Sequence, residues 1–184
     1  MERDKFLTFL KEKIKNINLI KHSLAVEAIM KELADYFKED QEKWALAGLL
    51  HDIDYELTED QPEKHSLLSE KILASFALDK EVIEAIKKHN PYHQFQLNTL
   101  MEKSLFIADP LSGLIVASTL VLPSKKIKDL TVENIFNRFK EKSFAKGVDR
   151  EIIKLSESLL NLPLENLFSL GLRAMQKIDK ELGL

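Results

Sequence analysis

The sequence predicts an all-α, single-domain protein with a buried metal site, and three observations carry that prediction. Glycine and proline are scarce, at five each in 184 residues. That scarcity suits long helices better than a many-turned β fold. Apolar residues recur at helical spacing through most of the chain. Four of the five histidines and two aspartates form a dispersed set: His22, His51, Asp52, His65, His89 and Asp109. Imidazole and carboxylate together suit a borderline divalent metal such as iron, zinc or manganese.

The helices follow in order. Residues 2–15 form an amphipathic helix with Phe6, Phe9, Leu10 and Ile14 on one side. Asn18 caps a second helix running to about Phe37, whose apolar stripe includes Leu19, Val26, Met30 and Leu33; His22 lies on it and should point inward. Asp40 caps a third, from Gln41 to about Asp52. Its small residues Ala45, Ala47 and Gly48 permit close packing, and the run from Trp44 to Leu50 makes it central. Residues 53–61 read as an acidic loop. Pro62 opens a helix to about Phe76. Asp79 caps another, which Pro91 stops near Lys88 or His89. Asn98 or Thr99 starts a helix through Ile107, with a kink expected at Asp109–Pro110, and the run LIVASTLVL reads as its buried continuation. Short exposed helices are expected in the basic stretch after Pro123. Asp149 caps a helix through Leu160, and Pro163 starts a last helix ending near Leu182.

The chain is long enough for one domain with a substantial core. No repeat, low-complexity tract or linker divides it, so 1–184 reads as a single domain. A net charge of −3 gives no general reason to expect nucleic-acid binding. The absence of cysteine excludes disulfides, thiolate-bound zinc and cysteine nucleophiles, and fits a cytoplasmic protein. The N-terminus mixes both charge signs and does not read as a signal peptide. The apolar stretch from Phe106 to Leu122 contains Asp109 and Pro110 and is too short and interrupted for a membrane span.

Each residue of the histidine–aspartate set has an ordinary reading when taken alone. His22 on an apolar stripe suits a hydrogen-bonded core histidine, His65 a surface residue, His89 a helix-end histidine favoured by the macrodipole, and Asp109 a turn residue or cap. Independent coincidence of all six is a much poorer account than a shared metal. His51 and Asp52 are neighbours and cannot share one face of a straight helix, but at a helix end both can turn toward one cluster. Asp52 has two oxygens with which to bridge two metals. His93 stands four residues after His89, yet Pro91 intervenes, and a solvent-exposed histidine is expected.

The order His…His-Asp…His…His…Asp resembles that of the HD superfamily of metal-dependent phosphohydrolases, within its HDIG-like subgroup. The resemblance covers roughly Asn18 to Leu120. IKHSLAVEAIM is similar to the helix carrying the first histidine, and LAGLLHDIDYE to the helix end with the name-giving pair. EKHSLLSEKIL, AIKKHN and FIADPLSGLIV resemble the later ligand segments. This chain has HDID where one large subgroup has His-Asp-Ile-Gly, which adds the carboxylate of Asp54. The resemblance implies an HD-type helical bundle, with a core at about 18–122 and a C-terminal helical extension at about 123–184. It implies core ligands His22, His51, Asp52 and Asp109. His65 and His89 are similar to the added ligands of two-metal members; with a single metal they would contact phosphate instead.

The chemistry expected is hydrolysis of a phosphate ester or anhydride of a nucleotide-like small molecule by metal-bound water, with one or two ions of iron, manganese or zinc. No Gly-rich phosphate loop and no serine-nucleophile motif is present. Asp52 is the expected residue to orient the water or take its proton, with Asp54 as a second candidate. Lys125, Lys126, Arg138, Lys142 and Lys146 are candidate phosphate contacts, as are Lys64, Lys87 and Lys88 beside the ligand segments. A phosphorylated small molecule is the expected partner, without a membrane. The chain lacks the Gly-Tyr-Pro signature expected for cyclic di-GMP hydrolysis. Two alternatives are an HD-scaffold diiron oxygenase and a non-catalytic sensor module.

Overall fold

Two long helices, α2 (Ile17–Phe37) and α7 (Leu100–Leu120), form the centre of the computed structural model, which describes residues 2–184. The remaining helices are α1 (Glu2–Lys13), α3 (Gln41–Leu50), α4 (Tyr55–Thr58), α5 (Ser69–Leu73), α6 (Lys80–Lys88), α8 (Val132–Lys140), α9 (Arg150–Lys154), α10 (Ser156–Leu160), α11 (Leu164–Gln176) and α12 (Asp179–Leu182). Two 3-10 turns, Pro91–His93 and Ile127–Asp129, complete the elements. No strand occurs among the described residues. The fold is all-α, as the periodicity predicts.

The helix α2 packs most extensively on α3, and also on α7 and α11. Gly48 permits the α2–α3 approach: a β-carbon there would lie 2.8 Å from the backbone of Glu27. The helix α7 fills the middle. Its Met101, Leu105, Ile107, Leu111, Leu114 and Ile115 are buried, and each such side chain contributes roughly 1.5–3 kcal/mol over the exposed state. By length and composition α7 is apolar enough to cross a membrane; its burial among the other helices accounts for that composition. One hydrophobic core runs from Phe6 to Leu182, and Ile127, Ile135, Phe139, Phe168 and Met175 join it from the C-terminal third.

Several element boundaries differ from expectation. The cap of α2 is Asn16 rather than Asn18: its Oδ1 accepts the Asn18 amide at 2.9 Å. The acidic loop contains α4, and Glu56 within it accepts the amides of Lys15 and Asn16 at 2.9 and 2.6 Å. The helix expected from Pro62 to Phe76 is mostly turns, and only Ser69–Leu73 is α-helical. Ser66 takes φ 71°, a left-handed conformation that interrupts a helix. The helix continues through Pro110 without a break. Leu155 separates α9 from α10, and Ile178, at φ −119° and ψ 24°, separates α12 from the helix before it.

Candidate metal centre

The chain brings all six residues of the histidine–aspartate set together. His22 projects from α2, five residues past its start, and Asp109 from the middle of α7. His51 and Asp52 follow the last residue of α3, where the chain tightens into i→i+3 hydrogen bonds, Ile53 N to Leu50 O at 3.1 Å and Tyr55 N to Asp52 O at 2.9 Å. This tightening lets two adjacent side chains face one centre. His65 comes from the turns before α5 and His89 from the end of α6.

The Asp52 carboxylate sits between two sets of imidazoles. Its Oδ2 lies 3.5 Å from His22 Nε2 and 3.4 Å from His51 Nε2. Its Oδ1 lies 3.3 Å from His65 Nε2 and 3.4 Å from His89 Nε2. Asp109 Oδ1 joins the first set, 3.1 Å from His22 Nε2. His22, His51 and Asp109, and likewise His51, Asp52 and His89, each offer ligand atoms within 4.8 Å of one another.

Every imidazole is oriented through its other nitrogen. His51 Nδ1 donates to Gly48 O at 2.8 Å, and His89 Nδ1 to Ile86 O at 2.6 Å. His65 Nδ1 meets Asp54 Oδ1 at 2.9 Å. His22 Nδ1 lies 3.0 Å from Ser112 Oγ, whose own hydrogen goes to Asp109 O at 2.9 Å. Ser112 therefore accepts, and the network assigns the His22 proton to Nδ1. Such partners fix the tautomer and ring plane of metal-binding histidines. The Nε2 atoms of His22 and His51 face each other at 3.1 Å beside two carboxylates, a donor set that fits a bound cation.

The electrostatics agree. Burial pushes the Asp52 carboxyl up, but His51, with hydrogen bonds from His65 and His89, holds it well below the usual carboxylate range. Desolvation likewise opposes ionisation of Asp109, and the His22 contact outweighs it, lowering that carboxyl. Burial lowers His65, yet Asp52 and Asp54 together push it up to about 9. The cluster thus demands positive charge, which a divalent metal supplies.

Asp54, the second candidate for handling the proton, is engaged on both carboxylate oxygens. It is fully buried. Its Oδ1 holds His65, and its Oδ2 accepts the amides of Leu68 and Ser69 at 3.1 Å each. With both oxygens committed, it positions His65. His93 is also not simply solvent-exposed: it is half-buried and its Nε2 lies 3.0 Å from His65 O. Asn90, which the sequence reading passed over, donates to Pro62 O and His65 O at 3.0 and 3.2 Å. Ser112 was also missed; its place one turn after Asp109 was the available signal. Tyr55 packs edge-on against His65, ring centroids 5.3 Å apart.

Among the described residues, no hydrogen bond or ion pair ties the candidate basic residues to the cluster. Lys125, Lys126, Lys142 and Lys146 are exposed, and Arg138 pairs with Glu141 at 3.0 Å. Lys88 pairs with Glu102 at 2.9 Å, fastening the end of α6 to the capping box of α7.

The HD domain profile matches residues 19–114, and the chain belongs to this family of metal-dependent phosphohydrolases. Three similar proteins are named ribonuclease Y. That of Aster yellows witches'-broom phytoplasma is 32% identical over 138 residues, and that of Lawsonia intracellularis 27% identical over 138. That of Nitratidesulfovibrio vulgaris (strain DP4) is 31% identical over 139 residues. Each alignment covers 73% of this chain and 26% of the relative, so the chain spans about a quarter of the length of these proteins. No solved structure matches the chain.

Proposed function

We propose that the chain hydrolyses a phosphate ester or anhydride of a nucleotide-like small molecule at a two-metal centre. The observation that carries this reading is the position of Asp52, with one oxygen toward His22 and His51 and the other toward His65 and His89. His22, His51, Asp52 and Asp109 would hold one ion of iron, manganese or zinc, and Asp52, His65 and His89 the other. When bound, such metals lower the pKa of a coordinated water and neutralise charge on a phosphoryl oxygen.

The chain's own groups define the approach. His51 and His89 are sealed from solvent, whereas the side chains of His22 and Asp109 are 25% and 32% exposed. Substrate therefore enters on the His22–Asp109 side. Asp52 is the residue placed to orient the attacking water, because its carboxylate lies between both imidazole sets. Asp54 and Ser112 keep His65 and His22 aimed.

A second reading is hydrolysis of an RNA phosphodiester, favoured by the ribonuclease Y relatives. Manganese-, iron- or zinc-loaded protein assayed on nucleoside monophosphates, dinucleoside polyphosphates and a single-stranded RNA oligonucleotide separates the two. Turnover of the small substrates in preference to RNA supports the proposal, and RNA cleavage alone replaces it with the second reading. Inertness toward all three classes overturns both.

A further inference from the structure

The loop between α8 and α9, residues 141–149, is built around one side chain, Arg150. Its guanidinium lies within hydrogen-bond reach of six backbone carbonyls. Nε donates to Phe139 O at 2.9 Å. The two terminal nitrogens reach the carbonyls of Arg138, Glu141, Ala145 and Val148 at 3.2–3.4 Å, and that of Phe144 more closely. Ala145, at φ 43°, lets the loop double back. Two turns result, with Phe144 N bonded to Glu141 O at 3.0 Å and Val148 N to Ala145 O at 2.9 Å. Fixing such a stretch costs roughly 1–2 kcal/mol per residue in backbone entropy. Hydrogen bonds from a charged donor to otherwise unpaired carbonyls offset that cost. The chain thus holds an exposed loop in one shape with a single cation.

Val148 anchors this loop on α7. Its Cγ2 lies 3.4 Å from where a β-carbon at Gly113 would stand. Gly113 follows Asp109 by one helical turn on the same face, and the Asp109 side chain is on the exposed side of the metal centre. The loop therefore borders the side on which substrate enters. Residues 140–147 carry three lysines and one acid, Glu141, and Arg138 neutralises that acid. Lys142 and Lys146 are exposed and make no ion pair among the described residues. Other cations are placed elsewhere. Lys128 is tied to Asp179 at 2.9 Å and Lys154 to Glu151. Lys125 and Lys126 follow the end of α7, about 16 Å along that helix from Asp109. The metals neutralise the phosphoryl group that reacts, so two free ammoniums one turn further along α7 call for an anion of their own.

We propose that Arg150 is a positioning residue: by caging the loop it holds Lys142 and Lys146 at the rim of the metal centre, where they bind a second anionic group of the substrate. The proposal rests on the phosphohydrolase reading and adds that the substrate carries at least two anionic groups.

The test uses the manganese-loaded full chain, with binding followed by calorimetry. The probes are α,ω-alkane bisphosphonates with propyl to octyl spacers, compared with ethylphosphonate. At least one bisphosphonate should bind about tenfold or more tightly than ethylphosphonate. The double variant Lys142→Ala/Lys146→Ala should erase that preference while leaving ethylphosphonate affinity and metal content unchanged. Arg150→Gln should do the same, although both lysines remain; a purely structural arginine would leave the preference intact. Lys126→Ala should change nothing. The double lysine variant keeps the test decisive if Arg150→Gln does not fold. The proposal is overturned if no bisphosphonate outbinds ethylphosphonate, or if the preference survives in either folded variant. A bisphosphonate preference without turnover of any phosphate ester or anhydride supports the rim and refutes the hydrolase reading. Turnover without such a preference does the reverse.

Discussion

His22 and Asp109 project from the two longest helices and His51 from the end of α3, whereas His65 and His89 hang from a segment of turns and a short helix end. The first set is placed by packing. Helices α2, α3 and α7 meet through buried apolar faces, and the Gly48 contact fixes how closely α3 approaches. In the second set His89 ends α6, whose Val82, Ala85 and Ile86 are buried in the core, and His65 alone is placed by polar ties. Asp54 holds the His65 ring, Asn90 and His93 reach its carbonyl, and Ser66 Oγ donates to Lys87 O at 2.8 Å. Packed helices resist displacement collectively, while a segment held by individual hydrogen bonds can be loosened one tie at a time. The two halves of the centre should therefore fail differently.

Asp52 belongs to both halves, so its loss should have the largest effect. Asp52→Ala removes the carboxylate facing all four imidazoles. Affinity for both metals should drop by more than the roughly 100-fold upper range for losing an outer partner. Phosphohydrolase activity should vanish while the helical circular dichroism spectrum persists. Metal analysis of the purified variant checks this, and wild-type metal content there would remove Asp52 from the ligand set.

The next prediction isolates the second half. Asp54→Ala leaves His65 Nδ1 and the amides of Leu68 and Ser69 without their acceptor. Affinity for the ion at His65 and His89 should fall about 10- to 100-fold, while the ion at His22, His51 and Asp109 stays. Metal titration should then resolve one tight and one weakened site. Equal weakening of both would show that the halves are a single mechanical unit.

The same contrast governs what could be read in the sequence. His22, His51 and Asp109 were legible as helix-borne residues because apolar periodicity marks α2, α3 and α7. The segment around His65 was not. Its expected helix is replaced by turns whose causes are distant: Asp54 takes two amides fourteen and fifteen residues further on, and Asn90 holds Pro62 and His65 carbonyls. No local pattern reports such ties. Asn16 and Asn18 are both good caps, and their difference lies in how α4, through Glu56, holds the chain just before α2. Asp54 was singled out correctly as a carboxylate near the site. Its role followed only from seeing both oxygens engaged.

A smaller effect should follow from disturbing the packed half. Gly48→Ala places a β-carbon 2.8 Å from the Glu27 backbone, so α2 and α3 must separate. Overpacking of this kind costs about 1–3 kcal/mol, measurable as a lower urea midpoint with unchanged slope. The shift should also disturb His51, whose ring is held by the Gly48 carbonyl. Weakening confined to the His65–His89 site would contradict that division.

The smallest effect concerns how the packed half is tied to the C-terminal helices. Glu32 of α2 lies 2.5 Å from Arg173 and 2.6 Å from Lys177. Burial raises its carboxyl, but hydrogen bonds from these two cations prevail and bring it below its ordinary value of 4.5. A folded value below the unfolded one means the stabilisation is present above the ordinary glutamate range and is lost as pH falls through the depressed folded value. Both cations are more than half exposed, so solvent screening limits the contribution to about 0–1 kcal/mol. Glu32→Gln should lower stability slightly at neutral pH and not at pH values below the folded value. Urea melts of both proteins across that range give the comparison. A constant difference at every pH would trace the loss to packing of the side chain rather than to its charge.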